Sequence, residues 1–531
     1  MASFNLLRDA WIPAQPTGHA ARLIRPAEIV LGLTADSIAW PRADFRIAQL
    51  EFLIGLLATC CAPDEDQWDA WWQTPPDVET LDAAFAPFVH AFNLDGDGPR
   101  FMQDFTALEA GVETIEKLLI EAPGEQGLKK NTDLLVKRGR AARLSRGTAA
   151  IALYTLQSWA PAGGAGNRTG LRGGGPLLTL VVPDRKASLW HLLWANVPCG
   201  RVPSTVDLPR VFPWLAPTHG SQDGCKVTPA NAHSAQVWWG MPRRIRLVFE
   251  PGAALCDLTG MSDQVSASGW LQRPYGANYD AWSRAHPLTP YYRMRPGDPE
   301  WLPVHPQPGG IGYRHWLGLV LASPDGMRVP AACITEAPAR GIGRYRLLAA
   351  GFDMDNMKAR GFVESEMPLP GATDPTTRMR IDTLAQAMVR AAETAAGITR
   401  GAIRSALFSS GATVKPDWEV LNLAREKLWE ATEANFFAIL TNPEAHLATD
   451  DIPQQPHHFW LAILRRAAID IFAELAPLAP DMSAHAARVS NARRGLLFAF
   501  AGYGAMGQDL YKLLNIPPPE KATKAKTRKV T

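Results

Sequence analysis

The sequence predicts an α+β protein: a large mixed α/β N-terminal domain followed by a C-terminal four-helix bundle. Three observations predict it. Short apolar or alternating runs at 177–182 and 244–249 read as strands within the first 368 residues. Prolines 368, 370 and 375 then mark a linker. Beyond them come four long segments with apolar residues at helical spacing, joined by short breaks rich in Gly and Pro. The expected domains are 1–368, 369–515, and a basic tail, 516–531, too polar and charged to fold alone.

Along the first domain, residues 47–58 form a strongly apolar helix, and Trp71-Trp72 end an element that Pro75-Pro76 closes. Leu94-Asp-Gly-Asp-Gly98 is a turn; it lacks the later acidic ligands of a calcium loop. A short apolar segment, 149–156, precedes the buried strand 177–182, and 244–249 alternates as a half-buried strand. Runs 315–322 and 344–349 are further strand candidates, and 255–310, rich in Gly, Pro, Trp and Tyr, is expected to be mostly loop.

In the second domain the helices are expected near 381–408, 416–440, 456–476 and 484–514. Their apolar stripes are Leu384, Met388, Ala395 and Ile398; Leu421, Ala424, Leu428, Phe436 and Leu440; Trp460, Ile463, Leu464, Ala467, Ile471 and Leu475; and Leu496, Leu497, Phe500, Leu510 and Leu514.

Composition narrows function. The 531 residues are 47% hydrophobic and 20% charged, a globular balance, and the net charge of +2 confines any nucleic-acid contact to local patches. The six cysteines show no C-x-x-C spacing and read as small buried hydrophobes of a reducing compartment. The N-terminus lacks a signal-peptide pattern, and no apolar run approaches the roughly 18 residues a bilayer requires. A cytoplasmic protein without membrane contact is expected. There is no H-E-x-x-H, no G-x-S-x-G and no paired thiolates for zinc, so neither a metal nor a cofactor is expected.

Two features remain. A glycine-rich run spans 161–176, directly after a basic stretch that holds Lys129, Lys130, Lys137, Arg138, Arg140, Arg143 and Arg146 against Asp133 alone. The run lacks the Lys-Ser/Thr of a phosphate loop and any G-x-G-x-x-G register. A backbone stripped of side chains beside positive charge suits close approach to a groove, and also suits a plain surface loop. The second feature is 351–360, where Asp353, Asp355, Asn356, Lys358 and Arg360 surround two methionines after a strand, as in a hairpin tip. Such a tip is a polar turn or a wedge between base pairs.

The chain resembles the large subunit of the type I-E CRISPR interference complex, Cascade (the CasA family). The likeness rests on Phe4-Asn-Leu-Leu-Arg-Asp-Ala-Trp-Ile-Pro13, Phe101-Met-Gln103, Glu116-Lys-Leu-Leu119, Thr148-Ala-Ala-Ile-Ala-Leu153, Gly170-Leu-Arg-Gly-Gly174, His286-Pro-Leu-Thr-Pro290 and 351–360, in that order over nearly the whole length. It implies a non-enzymatic subunit partnered by CRISPR RNA, the other Cascade subunits, double-stranded target DNA, and a helicase-nuclease recruited on target binding. Such a subunit recognises the protospacer-adjacent motif (PAM) and promotes duplex opening and R-loop formation in antiviral defence, while guide pairing supplies the remaining specificity.

By position, the resemblance implies a PAM-reading glycine loop at Ala162, Gly163, Gly164, Ala165 and Gly166, and a wedge at Asn356, Met357 and Lys358. It implies a cationic finger within 269–275, best placed at Arg273. A loop anchoring the subunit near RNA has its apolar tip at Leu134 or Leu135, with Lys137, Arg138, Arg140, Arg143 and Arg146 for phosphates. Arg488, Arg493 and Arg494 would form a basic bundle face for the displaced strand, or a solvated one. The chain departs from the family in its two loop alanines, its wedge asparagine in place of glutamine, its leucine tip and its lack of a cysteine cluster. Two other classes stay open on the residues alone: an autonomous nuclease or NTPase, and a structural scaffold.

Overall fold

The computed structural model describes residues 3–16, 18–130, 138–164, 166–184, 187–342, 344–355, 357–371, 374–408, 418–442, 455–478 and 483–519. The chain divides into two compact units. One comprises Met1–Ile311 and Gly318–Met367, the other Gly312–Leu317 and Pro368–Thr531.

The first unit is built on mixed helix and sheet. Its strands are β1 (Ile12–Ala14), β2 (Arg22–Ile24), β3 (Glu113–Thr114), β4 (Leu144–Ser145), β5 (Leu178–Pro183), β6 (Arg244–Leu255), β7 (Ser262–Arg273), β8 (Tyr291–Tyr292), β9 (Leu302–Pro303), β10 (Arg328–Val329), β11 (Tyr345–Asp355) and β12 (Lys358–Leu369). Two sheets matter most. One has the order β12-β11-β5; the other is β3-β7-β4, with β6 also on β7. β5, apolar but for Thr179, is buried on both faces and pairs antiparallel with β11 from Leu178↔Ala350 to Pro183↔Tyr345.

Three expectations change. Residues 255–310 are not mainly loop at their start: β7 occupies Ser262–Arg273, paired to β6 from Arg244↔Arg273 to Leu255↔Ser262. Its own sequence, with three serines, one glycine and several polar residues, carries little strand signal; the partner strand imposes the conformation. Gly269 belongs there because a Cβ would meet Val112 Cγ1 at 2.6 Å and the Glu113 carbonyl at 2.9 Å. Residues 315–322 are not a strand: Tyr313–His315 is a 3₁₀ turn and Trp316–Leu319 a helical turn. The cysteines split, with Cys60, Cys61, Cys256 and Cys333 buried and Cys199 and Cys225 exposed.

The helix Ala43–Cys60 is the core of this unit. It buries nearly every side chain, polar Asp44, Gln49 and Glu51 among them. Phe52 is its hub, meeting Trp11, Phe92, Phe101, Tyr154 and Trp239 edge to face with centroids 5.5–6.2 Å apart. Gly55 admits Trp238, whose Cβ would lie 3.0 Å from any added Cβ. The segment expected at 149–156 is the helix Arg146–Trp159, capped by Ser145 through the Thr148 amide.

In the second unit, Asp374 caps a 33-residue helix, Pro375–Leu407, with Pro375 in its first turn. Helices Trp418–Thr441, Gln455–Leu475, Ser483–Phe500 and Gly504–Leu513 all pack on it. The stretch expected as one helix at 484–514 is thus two, broken where Gly502 and Gly504 take φ of +86° and +75°. Buried alanines 385, 391, 392, 395 and 396 bring the neighbours close to the long helix. On Gln455–Leu475 the buried stripe is Trp460, Leu461, Leu464, Ala468, Ile471 and Phe472; Ile463, Ala467 and Leu475 are only half-buried. The Trp460 indole donates to the Met388 carbonyl at 3.0 Å, fixing that helix pair.

Tyr313 pegs the early segment Gly312–Leu317 into this unit. Its ring stacks on Phe436 at 4.5 Å and meets Trp429 at 4.8 Å, and its hydroxyl lies 2.6 Å from Thr432 Oγ1. Its amide donates to Glu433, and Arg314 pairs with Glu426. Tyr313→Ala is expected to destabilise the unit by about 3–5 kcal/mol, and Tyr313→Phe by about 1 kcal/mol. Denaturant unfolding of the full chain, followed by far-ultraviolet dichroism, measures both.

Candidate nucleic-acid interface

The glycine run is two structures. Its second half is a packed joint. Gly170 sits against the Ser158 carbonyl at 2.8 Å, Gly174 against Pro161 Cα at 2.6 Å, and Gly175 against the Phe352 carbonyl at 2.7 Å, each measured from an added Cβ. Gly351 faces Pro176 in the same way at 2.6 Å. The run therefore lies flush on β11, the strand that leads to the hairpin tip, with Trp159, Phe352 and Phe362 packed ring to ring beside it.

The first half is the exposed loop. Gly163 and Gly164 stand exposed, and Gly164 has φ +81° with nothing within 4 Å of an added Cβ. Asn167 closes the turn: its side-chain amide donates to the Gly163 carbonyl at 2.6 Å, and the Gly163 and Asn167 amides donate to the Asn167 and Gly164 carbonyls at 3.3 Å. Gly166, at φ +79°, would place a Cβ 2.7 Å from Pro274 and 3.0 Å from the Tyr275 amide. That amide donates to the Gly166 carbonyl at 2.7 Å, and Gln272 donates to Asn167 Oδ1 at 2.5 Å. The loop is thereby stitched to the end of β7, where Arg273 is exposed. Ala162 is half-buried at ordinary φ, so an alanine there costs nothing. Ala165 lies outside the described residues.

Beneath the loop sits Arg243, a residue the sequence reading missed. Its Nε donates to the Arg168 carbonyl at 2.9 Å and its Nη2 to the Pro161 carbonyl at 2.5 Å. Burial pushes the guanidinium down to about 10, and no carboxylate offsets it. In the sequence it is one of two adjacent arginines before a strand, a pattern without a distinguishing signal. Arg244, its neighbour, pairs ordinarily with Asp104 at 2.6 Å.

Arg172, inside the glycine run, does not face outward. It is buried and pairs with Glu51 of the core helix at 2.5 Å. His286 Nε2 lies 3.3 Å from the same Glu51 oxygen, outside hydrogen-bond geometry. Burial pushes the Glu51 carboxyl up, but the Arg172 charge is the largest opposing influence and the group is held below its usual value. Burial and the Arg172 charge lower His286 to about 4.

At the hairpin tip, Met357 is exposed at φ +65° and Lys358 opens β12, also exposed; Asn356 lies outside the described residues. Arg360 ties the hairpin together through Asp353 at 2.7 Å and Asp355 at 3.7 Å. Loop, β7 end and hairpin all belong to the first unit, and the glycine run touches both of the others.

Among the described residues, three arginines of the basic stretch meet acids. Arg140 pairs with Glu121, Arg143 lies 4.0 Å from Glu250, and Arg146 pairs with Asp263 at 2.7 Å and Asp95 at 3.7 Å while covering the Phe4 ring. Arg138 donates to the Leu128 carbonyl at 3.3 Å. Leu134, Leu135 and Lys137 lie outside the described residues. On the helix Ser483–Phe500, Arg493 and Arg494 are exposed, and Arg488 is half-buried with one nitrogen 3.4 Å from His485. Among the described residues no group of three or more His, Cys, Asp or Glu side chains could hold a metal ion, and no helix is long and apolar enough to cross a membrane.

The buried Arg172–Glu51–His286 cluster predicts an acid response. Unfolded, His286 titrates near 6.5; folded, at about 4. Between those values the unfolded chain binds a proton that the folded chain refuses, so this contribution is complete above about pH 6.5 and is lost as pH falls toward 4. It amounts to roughly 3 kcal/mol. His286→Asn should flatten that part of the stability–pH curve, measured as midpoint denaturant concentration from pH 4 to 7.5. Arg172→Leu leaves Glu51 buried and unpaired and should cost about 3–5 kcal/mol at pH 7.

The CRISPR-associated protein Cse1 family model matches residues 5–471. The structure superposes on CasA from Thermus thermophilus with a TM-score of 0.69 at 17% identity, covering 93% of this chain and 98% of that one. On Cse1 from Acidimicrobium ferrooxidans the values are 0.65, 18%, 97% and 99%. A chain of a CRISPR RNA-guided surveillance complex gives 0.68, 16%, 93% and 99%. Taken with the residues above, these matches show that the chain belongs to the Cse1 (CasA) family, the large subunit of type I-E Cascade.

Proposed function

We propose that this CRISPR interference subunit recognises the PAM in double-stranded target DNA, promotes duplex opening, and recruits the helicase-nuclease, with no catalysis of its own. Its partners in this reading are CRISPR RNA, the remaining Cascade subunits and the target duplex; one similar chain is part of a CRISPR RNA-guided surveillance complex. The observation that carries it is the bare Gly163–Gly164 backbone, exposed and rigidly mounted between the Arg273 strand end and the hairpin that bears Met357 and Lys358.

Physically, an exposed backbone without side chains enters a narrow minor groove where a Cβ would collide. The minor groove offers a degenerate acceptor pattern, so motif reading there tolerates several sequences. Arg273 and Lys358 supply phosphate contacts that position the duplex without specifying it. The tip residues Asn356, Met357 and Lys358 act as the wedge. Arg138, Arg140 and Arg143 serve the anchoring loop with Leu134, Leu135 and Lys137, while Arg146 is committed to its acids. Arg493 and Arg494 are the bundle cations best placed for a displaced strand.

Gly164→Asp is the direct test. Asp tolerates positive φ and meets no neighbour at this position, so the subunit should fold and join the complex. Target binding should fall at least about tenfold. Unchanged affinity in an electrophoretic or interferometric assay would remove the motif-reading role. The double variant Asn356→Ala, Lys358→Ala should keep initial binding while losing duplex opening, read by permanganate reactivity of unpaired thymines.

A further inference from the structure

We propose that Arg243 is the positioning residue of the glycine loop, setting the height and angle at which the Gly163–Gly164 backbone is presented. The inference rests on the motif-reading role of that loop and adds the residue that makes the reading possible.

One planar side chain closes the loop from beneath. Its Nε and Nη2 hold the carbonyls of Arg168 and Pro161, which bracket the turn on either side. Each donor satisfies a backbone acceptor, so the two ends of the loop are held at the fixed spacing of a guanidinium fork. The fork is itself anchored. Gln157, wholly buried in the helix Arg146–Trp159, accepts from the Arg243 amide at 3.0 Å and donates to its carbonyl at 2.9 Å. Loop height is thus referred to a core helix and does not depend on the loop itself.

The same guanidinium explains Gly163. That residue has no positive φ to demand glycine. A Cβ there would lie 3.3 Å from Arg243 Nη1 and 3.4 Å from Nη2, a contact tight enough to press the guanidinium out of its place by a few tenths of an ångström. Finally, the charge is costly. Arg243 is 7% exposed and every acceptor it meets is a neutral carbonyl. Burying a cation without a carboxylate is unfavourable, yet a carboxylate here would place negative charge under a surface that meets a polyanion. Lysine is not equivalent: its three donors radiate from a single nitrogen on a flexible stem and do not hold two carbonyls at the fixed spacing of a planar fork.

The experiment uses the assembled complex and two duplexes, one with an accepted motif and one without. Arg243→Lys keeps the charge and loses the fork. Affinity for the motif-bearing duplex should fall about tenfold or more, with affinity for the motif-free duplex and the slope of log K against log salt unchanged, because the guanidinium touches carbonyls and no phosphate. Gly163→Ala should cause a similar fall by pushing on the fork from above. In the Arg243→Lys background it should add little, a non-additivity that general destabilisation does not produce. Full motif discrimination in Arg243→Lys, or strictly additive losses, would overturn the inference. If Arg243→Lys fails to join the complex, Arg243→Gln, which keeps an uncharged amide donor beneath the loop and leaves the Gly163–Gly164 backbone bare, takes its place: unchanged motif-dependent affinity overturns the proposal, and selective loss supports it. Gly164→Asp separates the layers. Loss there with Arg243→Lys silent defeats only the positioning role; no loss there defeats the motif-reading role beneath it.

Discussion

The buried ion pair between Arg172 and Glu51 ties the glycine run to the core of the first unit. Glu51 lies in the middle of a helix that is buried on nearly every side, where an unpaired carboxylate would be strongly unfavourable. Its partner comes from a turn of four residues closed by Gly170 and Gly173, and this fixes one end of the run against the core. The surrounding groups obey the same constraint: His286 stays neutral, Thr289 receives a second nitrogen of Arg172, and the 286–289 loop is held in place. A polar cluster of this kind adds little net stability; it selects one arrangement among many.

From that anchor, the glycines fall into two classes with different physics. Gly170, Gly174, Gly175 and Gly351 are glycine because backbone meets backbone within about 3 Å of where a Cβ would be. Gly164 and Gly166 are glycine because φ is positive. Gly163 belongs to neither class; an added Cβ would press on the Arg243 side chain below it. A run that reads as flexible is therefore mostly packed, and only its tip is bare. A rigid mount suits a surface that must meet a groove at a set depth, since a floppy loop would lose conformational entropy on each encounter.

Charge follows a similar division. The arginines nearest the helix Arg146–Trp159 are paired with acids more than a hundred residues away, Glu250 and Asp263. Arg273 stands exposed at a strand end, and Lys358 at a hairpin tip. With a net charge of only +2, the usable positive potential is a matter of placement, and the residues densest in the sequence are not those freest in space.

The class of the fold, the strands at 177–182 and 244–249, the apolar helix near 47–58 and the helical texture after residue 374 are legible in the order of residues, because each rests on local periodicity. So are the glycine run and the hairpin tip, because glycine content and clustered polar residues are visible without neighbours. Tertiary structure alone decided the rest. β7 is a strand because β6 lies beside it; the turn at Tyr313 is fixed by a socket formed by Phe436 and Thr432; the last helical stretch breaks where two glycines adopt positive φ. Arg172, Arg243 and Gln157 give no local signal at all. Their roles depend on partners 121, 75 and 86 positions distant, and hydrogen bonds across such separations exist only once the chain has folded.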